Sequence, residues 1–329
     1  MMSEINEMRV GPLFPIFERI GRSPSQYRAG FMDLTGAQAV DFVFDDARPF
    51  CCGLAPVKCG KTWGAIDGSG NLTIKPDSHS LIGISEDRII YSIDGKRGAM
   101  SLDGTVIVEP QFRVLAEFRE GASWMSRDRL FGFIDRDGQQ LAAPTYEDAR
   151  SFSEGVAPVK IGEKWGFINK SLEFEIPPRF ALALPFSNGL ARVMQDGLWG
   201  YINREGTYTI SPRWVGARDF HEGMAEVEVE SLWGYIDQSG TIIIPPAFRR
   251  SGEFIRGIAA VAPESEPNGL YGFLNQGGEF VIPARFEGVS KFRCGLCFVE
   301  LAKEVAYINS GGEIVWSGPY IDIGRLSEL

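Results

Sequence analysis

Short runs of alternating apolar and polar residues recur along the chain, separated by turns rich in glycine, aspartate and asparagine. In residues 189–194, small or apolar side chains alternate with polar ones, the period of two that is typical of a half-buried β-strand. Asp196-Gly197 follows and predicts a hairpin turn, because both residues tolerate positive φ. Residues 198–202 carry aromatic and β-branched side chains and predict the second strand of the hairpin.

A third strand completes this unit. Residues 203–206, Asn-Arg-Glu-Gly, predict a four-residue turn that leads into a strand at residues 207–210. Pro212 is expected to end the ladder because proline has no N–H to donate. A short fourth strand is expected within residues 217–220 before the next unit begins. No window shows a sustained period of 3.6 residues, so we expect few helices.

The same unit recurs along the whole chain with a spacing of 34 residues, lengthened once to 38 around residues 263–268. Its reference position is most often the tryptophan of a Trp-Gly pair. The sequence therefore predicts a single repeat array over residues 1–329, built from nine antiparallel β-meander units. The units are anchored at Ala29, Trp63, Arg97, Phe131, Trp165, Trp199, Trp233, Tyr271 and Val305.

Other residue types keep the same spacing. An Asp, Asn or Ser lies four residues after each reference position, and a glycine lies seven after it in most copies, with Leu172 as the exception. Phenylalanine recurs thirteen residues before the reference position, and proline recurs thirteen after it. These positions predict the turns, a buried aromatic row and the third strand of every unit.

One unit cannot bury both faces of its sheet, so neighbouring units must pack together. A large aromatic ring in each unit can form a continuous apolar spine, and the glycine beside it has no Cβ, so another chain segment can approach closely. We therefore assign a structural role in the repeat core to one set of pairs: Trp63 and Gly64, Trp165 and Gly166, Trp199 and Gly200, Trp233 and Gly234.

Two architectures fit an all-β array of this kind. The units form an open, curved solenoid or superhelix, or they close into a β-propeller. Propellers usually have four to eight blades of about 40 residues or more. Nine units of 34 residues are more numerous and shorter than that, so the open array is favoured.

Three segments of one copy carry a family resemblance: Gly-Val-Ala-Pro-Val at residues 155–159, Lys-Trp-Gly-Phe-Ile-Asn at 164–169 and Ile-Pro-Pro-Arg-Phe at 176–180. They resemble the bacterial WG-repeat, or KWG-repeat, family, and the likeness extends over about residues 15–325. The resemblance implies a β-rich repeat that serves as a binding scaffold and does not imply a particular reaction.

Charge and composition narrow the classes of partner. The chain has a formal net charge of −10, and 44% of its residues are hydrophobic, as in ordinary globular proteins. An acidic chain without Lys/Arg clusters is not expected to bind nucleic acid or an anionic membrane. Residues 1–7 carry acids where a signal peptide needs a basic and then an apolar region. Five cysteines, an odd number, favour a reducing compartment, so we expect a cytoplasmic protein.

Candidate catalytic and metal-binding residues are few. The two histidines, His79 and His221, stand apart in the sequence and are expected at the surface. Cys294 and Cys297 have the C-x-x-C spacing of a redox or zinc half-site, but Cys297 takes a small-residue position of the repeat, so the repeat explains part of the pattern. We predict no catalytic residues, no metal site and no cofactor.

The irregular places are the best candidates for specificity. The insertion at 263–268 lengthens one hairpin and carries Glu264, Glu266 and Asn268, while Glu226, Glu228 and Glu230 alternate along one predicted strand and are expected to share a face. We predict a non-enzymatic protein-binding scaffold whose acidic residues meet a basic partner protein, with an antitoxin-like or immunity-like role as the specific version. Two alternatives stay open: glycan binding by surface aromatic residues, and an enzyme with an acidic pocket in a closed ring.

Overall fold

The computed structural model describes residues 12–77 and 80–322, and every regular element in them is a β-strand. Contacts divide the chain into two compact units. The first comprises Met1–Ile93, Met100–Thr105 and Gly288–Leu329, and the second comprises Asp94–Ala99 and Val106–Glu287. The regular repeat spacing, which predicts one array, gives no sign of this division.

The strands follow one another with turns of a few residues. The first are β1 (Phe14–Arg19), β2 (Tyr27–Met32), β3 (Gln38–Phe44), β4 (Asp46–Ala47), β5 (Leu54–Cys59), β6 (Thr62–Asp67), β7 (Leu72–Ile74), β8 (Ser80–Ser85), β9 (Arg88–Ile93), β10 (Lys96–Ser101) and β11 (Val106–Phe112). Then come β12 (Val114–Leu115), β13 (Ala122–Arg127), β14 (Leu130–Asp135), β15 (Gln140–Tyr146), β16 (Asp148–Ala149), β17 (Val156–Ile161), β18 (Lys164–Asn169), β19 (Phe174–Phe180), β20 (Leu182–Ser187), β21 (Leu190–Gln195), β22 (Leu198–Ile202) and β23 (Tyr208–Trp214). The last are β24 (Gly216–Ala217), β25 (Met224–Val229), β26 (Leu232–Asp237), β27 (Ile242–Ser251), β28 (Ile258–Pro263), β29 (Tyr271–Asn275), β30 (Phe280–Phe286), β31 (Gly288–Val289), β32 (Leu296–Glu300), β33 (Glu304–Asn309) and β34 (Ile314–Pro319).

In the second unit, each repeat is a four-stranded antiparallel meander whose strands pair in chain order, as in β12–β15, β16–β19 and β20–β23. The hairpin turn at Asp196-Gly197 has positive φ at both residues, 51° and 79°, as its sequence predicts. In the next turn, the Asn203 side chain accepts hydrogen bonds from the N–H and the hydroxyl of Thr207. The structure thus confirms the all-β tandem array of antiparallel meanders.

The last strand of each meander differs from the prediction. In the second unit it runs through its proline, as where β23 continues past Pro212 to Trp214, whereas β7 of the first unit ends at Ile74, before Pro76. Trp199 pairs with Trp214 and Tyr201 pairs with Ile210, so residues 211–213 oppose the single residue Gly200. This is a special bulge, with three residues opposite one, and bulges tolerate a residue that cannot donate to the ladder. The proline therefore marks a bulge within the strand, and the expectation that it ends the strand is wrong.

The bulge explains the glycine of each Trp-Gly pair. A Cβ built on Gly200 would lie 2.6 Å from the carbonyl oxygen of Ile210 and 2.7 Å from the nitrogen of Pro212. Equivalent carbonyl oxygens lie 2.4 Å from such a Cβ at Gly64 and 2.6 Å from it at Gly166 and Gly234. No side chain fits at these distances, so the bulged strand requires glycine opposite it.

The aromatic spine is made mainly of phenylalanine and tyrosine. Phe186 and Phe220 are buried, and each meets a ring of the preceding meander edge to face, with centroids 5.1 Å from Phe167 and 4.8 Å from Tyr201. Among the predicted core tryptophans, Trp165 is 3% exposed. The other three are partly buried and pack against the apolar clusters of their repeats: Trp63, Trp199 and Trp233.

Acidic and amide side chains join successive repeats in the second unit. Each lies at a turn residue with positive φ and accepts a hydrogen bond from the N–H of the equivalent turn glycine one repeat later. The bonds are Gly155 N–H to Glu120 (3.0 Å), Gly189 N–H to Glu154 (3.1 Å), Gly223 N–H to Asn188 (3.0 Å) and Gly257 N–H to Glu222 (2.8 Å). These acids are therefore part of the scaffold and are not free for a partner.

The first unit brings together strands from both ends of the chain. Its apolar cluster includes residues of β1 and β2 together with residues of β32 and β33. The Tyr307 hydroxyl donates to the carbonyl of Pro15 at 3.0 Å, and the rings of Phe17 and Phe298 meet edge to face at 6.4 Å. The preference for an open array gave no reason to expect this contact between the first and last repeats.

A single continuous sheet spans two repeats in the second unit. It has seven strands in the order β24 to β30, because β27 pairs with β26 and continues to pair with β28. Elsewhere in this unit, as between β23 and β24, one residue interrupts the strand at the equivalent place. The continuous sheet contains the insertion predicted at residues 263–268.

We expect Gly200→Ala to destabilise the protein by about 1–3 kcal/mol, because the added methyl group overlaps the backbone of β23. Gly252→Ala is the matched control, since the nearest atom to its Cβ would lie 3.4 Å away. Urea unfolding of the two variants and the parent checks the difference. Equal stability of Gly200→Ala and the control would contradict the close approach.

Candidate functional site

The insertion forms an ordered hairpin between β28 and β29. Its start extends the ladder, since Phe248 pairs with Pro263 and the Glu264 N–H donates to the carbonyl of Ala247 at 2.8 Å. Two successive turns follow: the Glu266 N–H donates to the carbonyl of Pro263, and the Gly269 N–H donates to the carbonyl of Glu266. The insertion hairpin, residues 263–270, is thus held by backbone hydrogen bonds along its length.

A cleft of about 580 Å³ lies beside this hairpin. Its volume is within the range of small-molecule and peptide side-chain pockets. We call it the insertion cleft, and it is lined by Arg249, Arg250, Ala262, Pro267, Asn268, Gly269, Leu270 and Glu287. Two guanidinium groups, one carboxylate and one amide are therefore combined with an apolar wall.

Arg250 of β27 is held in place by a residue of β29, two strands away in the sheet. Its Nη1 donates to the Tyr271 hydroxyl at 3.1 Å, and its guanidinium lies 5.8 Å from the centroid of the Tyr271 ring. Arg249 is exposed and forms no ion pair with any residue in the described part of the chain. The cleft thus has one cation that is oriented by a hydrogen bond, Arg250, and one that has no ion-pair partner in the described residues, Arg249.

Arg249 occupies a repeat position that carries an arginine in one other copy, at Arg113, and an acid in three, at Glu287, Asp45 and Glu147. In the last two copies the acid makes a hydrogen bond. There Asp45 accepts from the N–H of Gly60 at 2.6 Å, and Glu147 accepts from the N–H of Gly162 at 3.0 Å, so each acid fastens the hairpin that follows. A guanidinium has donors and no acceptor, and Arg249 cannot make this bond. Its hairpin, the insertion hairpin, lacks this fastening.

The predicted partner-binding residues do not form one site. Glu264 and Asn268 are exposed, Glu266 is partly buried, and of these three Asn268 lines the insertion cleft. The other predicted acids belong to the preceding repeat and do not line the cleft. Among them, Glu230 is exposed in a hairpin turn and Glu228 is partly buried.

Glu226 corrects the prediction of an exposed acidic face, because its side chain is only 1% exposed. The alternation of glutamate and apolar residues does not place one face of β25 in solvent, because both faces are packed. Ala225 and Val227 belong to one apolar cluster, and Met224 belongs to the next. Burial raises the pKa of Glu226 above its ordinary value. Its Oε1 lies 3.7 Å from Nη1 of Arg218 and has no hydrogen-bond partner.

His221 joins two repeats. Its Nε2 lies 2.9 Å from a carboxylate oxygen of Glu253, and this hydrogen bond raises the pKa of the histidine. In other copies, a serine at the same position donates to the next repeat, as Ser187 does to the carbonyl of Phe220 at 2.6 Å. His79 lies outside the described residues.

The C-x-x-C pair is placed in two unlike environments. Cys297 is fully buried, and burial raises the pKa of its thiol to about 12. Cys294 is exposed in a turn with φ of 47°. Within residues 12–77 and 80–322, no group of three or more His, Cys, Asp or Glu side chains is arranged to hold a metal ion.

The tryptophans leave little room for sugar stacking. The guanidinium carbon of Arg192 lies 4.5 Å from the centroid of the Trp199 ring, and that of Arg218 lies 4.8 Å from the centroid of the Trp233 ring. Each of these rings packs on its apolar cluster as well. The glycan alternative needs open ring faces, and these rings do not offer them.

The charged residues of the insertion cleft were not predicted from the sequence: Arg249, Arg250 and Glu287. A signal was present in the repeat alignment, because position 249 carries a base where positions 45 and 147 carry acids. Arg113 is also basic at this position, but only the copy with Arg249 has the insertion as well, and the two features together point to the cleft.

The repeats match a known family model. The model described as WG containing repeat matches residues 30–63, 63–96, 131–165, 165–199, 199–233, 233–262 and 271–303. These segments cover most of the chain, which therefore belongs to the WG-repeat family, as the sequence resemblance predicts. The copies anchored at Arg97 and Val305 are outside the matched segments.

Two solved structures are similar to this chain at low sequence identity. A eukaryotic initiation factor is similar with a TM-score of 0.63 and 11% identity, over 94% of this chain and 96% of that chain. BamB from Moraxella catarrhalis gives a TM-score of 0.45 and 11% identity, over 74% of this chain and 88% of that chain. The first similarity supports the fold alone.

No curated protein matches the sequence. Over residues 12–77 and 80–322 the structure contains no helix that is both long enough and apolar enough to span a membrane.

We expect Glu226→Gln to stabilise the protein at pH 8. The raised pKa means that the folded state favours the neutral carboxyl of Glu226. The stability gained from the neutral carboxyl is therefore present below 4.5, the pKa in the unfolded chain, and is lost as the pH rises through the pKa in the folded protein. The neutral glutamine avoids that loss, and we expect a gain of about 1–3 kcal/mol at pH 8 that shrinks toward pH 4.

Urea unfolding at both pH values measures this effect, and the matched control is Glu230→Gln, at an exposed position of the adjoining turn. A variant less stable than the parent at pH 8 would mean that the ion pair with Arg218 outweighs the burial of Glu226.

Proposed function

We propose that this WG-repeat protein is a non-enzymatic scaffold that binds a partner protein at the insertion hairpin and the insertion cleft. The observation that carries the proposal is the hairpin itself. It is the one lengthened copy of the repeat, it is ordered by backbone hydrogen bonds, and it borders a cleft. In repeat proteins, insertions in single copies lie on one face, often the binding face.

The distribution of acids supports this location. Glu120, Glu154 and Glu222 are occupied by hydrogen bonds between repeats, and Glu226 is buried. Glu264 is exposed, and Glu266 lies beside it on the same hairpin. An acidic hairpin on a chain with a net charge of −10 favours a partner with a basic surface.

The insertion cleft does not favour the enzymatic alternative. Glu287 is the one carboxylate among its lining residues, whereas the alternative requires several acids in one pocket. The proposed binding needs no cofactor and no metal. We further propose that it takes place in the cytoplasm, on the basis of the free cysteines, and that it has an immunity-like form in which the hairpin masks a basic partner.

Deletion of residues 264–267 restores the 34-residue spacing and is expected to abolish capture of the partner from lysate of the native cell. The double variant Glu264→Gln/Glu266→Gln keeps the length of the hairpin and removes its charge. We expect it to capture the partner, with association at least about tenfold slower at low salt and a weaker dependence on salt.

Mass spectrometry of the captured proteins and stopped-flow or surface-plasmon-resonance kinetics are the measurements. Glu230→Gln, an exposed acid away from the cleft, is the control for a general effect of charge. Unchanged capture by the deletion variant would place the binding surface elsewhere and refute the proposal.

A further inference from the structure

We infer that the insertion cleft binds an acidic side chain or a terminal carboxylate of a peptide segment, with Arg249 and Arg250 as the groups that bind it. This inference deepens the proposed function and rests on it. It adds that the partner presents an acidic residue at the cleft, in addition to the basic surface that meets the hairpin.

The cations of the cleft are placed for this role. Arg250 is oriented by the Tyr271 hydroxyl at 3.1 Å, so little of its side-chain freedom is lost on binding. Arg249 is exposed and has no acid paired with it in the described residues. Guanidinium groups form paired, charge-assisted hydrogen bonds with carboxylates, which makes them suited to this ligand.

The rest of the lining suits a single carboxylate on an aliphatic stem. Ala262, Pro267 and Leu270 provide an apolar wall, beside which a charge-assisted hydrogen bond is stronger than in open water. Asn268 adds an amide that donates or accepts. A peptide side chain with a short apolar part and an acidic end, such as aspartate or glutamate, matches this combination.

Glu287 limits the charge of the ligand. Two arginines and one glutamate give the lining a formal charge of +1, so a polyanion such as a phosphate cluster is disfavoured. The carboxylate of Glu287 is free to accept from a backbone N–H or from a basic side chain next to the bound acid. The cleft therefore selects an isolated acidic residue over an acidic run.

The position of Arg249 in the repeat supports its assignment as a carboxylate-binding group. Asp45 and Glu147, at the same repeat position, accept a hydrogen bond from the hairpin that follows each of them. Arg249 cannot accept this bond, and its guanidinium donors are not used within the repeat. The repeat gives no structural task to Arg249 among the described contacts, and an incoming carboxylate would supply the acceptor that its guanidinium lacks.

The test is selection from a phage-displayed random peptide library against the full chain, followed by measurement of Kd for the selected peptides. We expect enrichment of peptides with one aspartate or glutamate near a basic residue. The double variant Arg249→Gln/Arg250→Gln should bind these peptides at least about tenfold more weakly. Arg256→Gln, an exposed arginine outside the cleft lining, is the matched control and should change Kd less than twofold.

Further variants separate the two proposals. Glu287→Gln should leave binding of the acidic peptides intact or tighten it. If the library yields only basic peptides that lose affinity in Glu264→Gln/Glu266→Gln and keep it in the arginine variant, the carboxylate inference is overturned and the partner-binding hairpin stands. If no peptide binds the parent more tightly than it binds the variant lacking residues 264–267, both are overturned.

Discussion

The architecture depends on one close approach, between the glycine of each Trp-Gly pair and the bulged last strand of its meander. The carbonyl of Ile210 lies so near to Gly200 that a Cβ would be 2.6 Å from it. The bulge allows β23 to carry Pro212 and still reach Trp214. The same close approach recurs at Gly64, Gly166 and Gly234. The glycine of the Trp-Gly pair and the proline that follows it are therefore required by the same contact between strands.

This constraint determines where function is able to reside. The regular copies use their turn acids to join repeats, as Glu154 and Glu222 do, and cover their tryptophans with arginine. Most polar groups of the repeat therefore have internal partners. The insertion hairpin departs from the pattern in length, and Arg249 replaces the acid that bonds to the equivalent hairpin in two other copies. Both features lie at the insertion cleft.

The local elements were predictable because they depend on local chemistry. Turn residues such as Asp196-Gly197 specify the hairpins, and β22 has the bounds that its aromatic and β-branched residues predict. The bulge was missed because a proline in a strand is ambiguous without its partner strand. The burial of Glu226 was missed because alternation reports exposure only where one face of the strand meets solvent, and β25 is packed on both faces. The lining of the cleft was missed because it joins residues from β27, β28, the insertion hairpin and the residue after β30.

The seven-stranded sheet has a consequence for how the chain responds to force. Elsewhere in the second unit, one residue interrupts the ladder between the last strand of a meander and the first strand of the next. Across β27 the ladder is unbroken, so pulling on either of these two repeats shears hydrogen bonds shared with the other. In a stretching experiment, we expect the two to extend together as one mechanical step of about twice the usual length, with the insertion hairpin in the interior of that step.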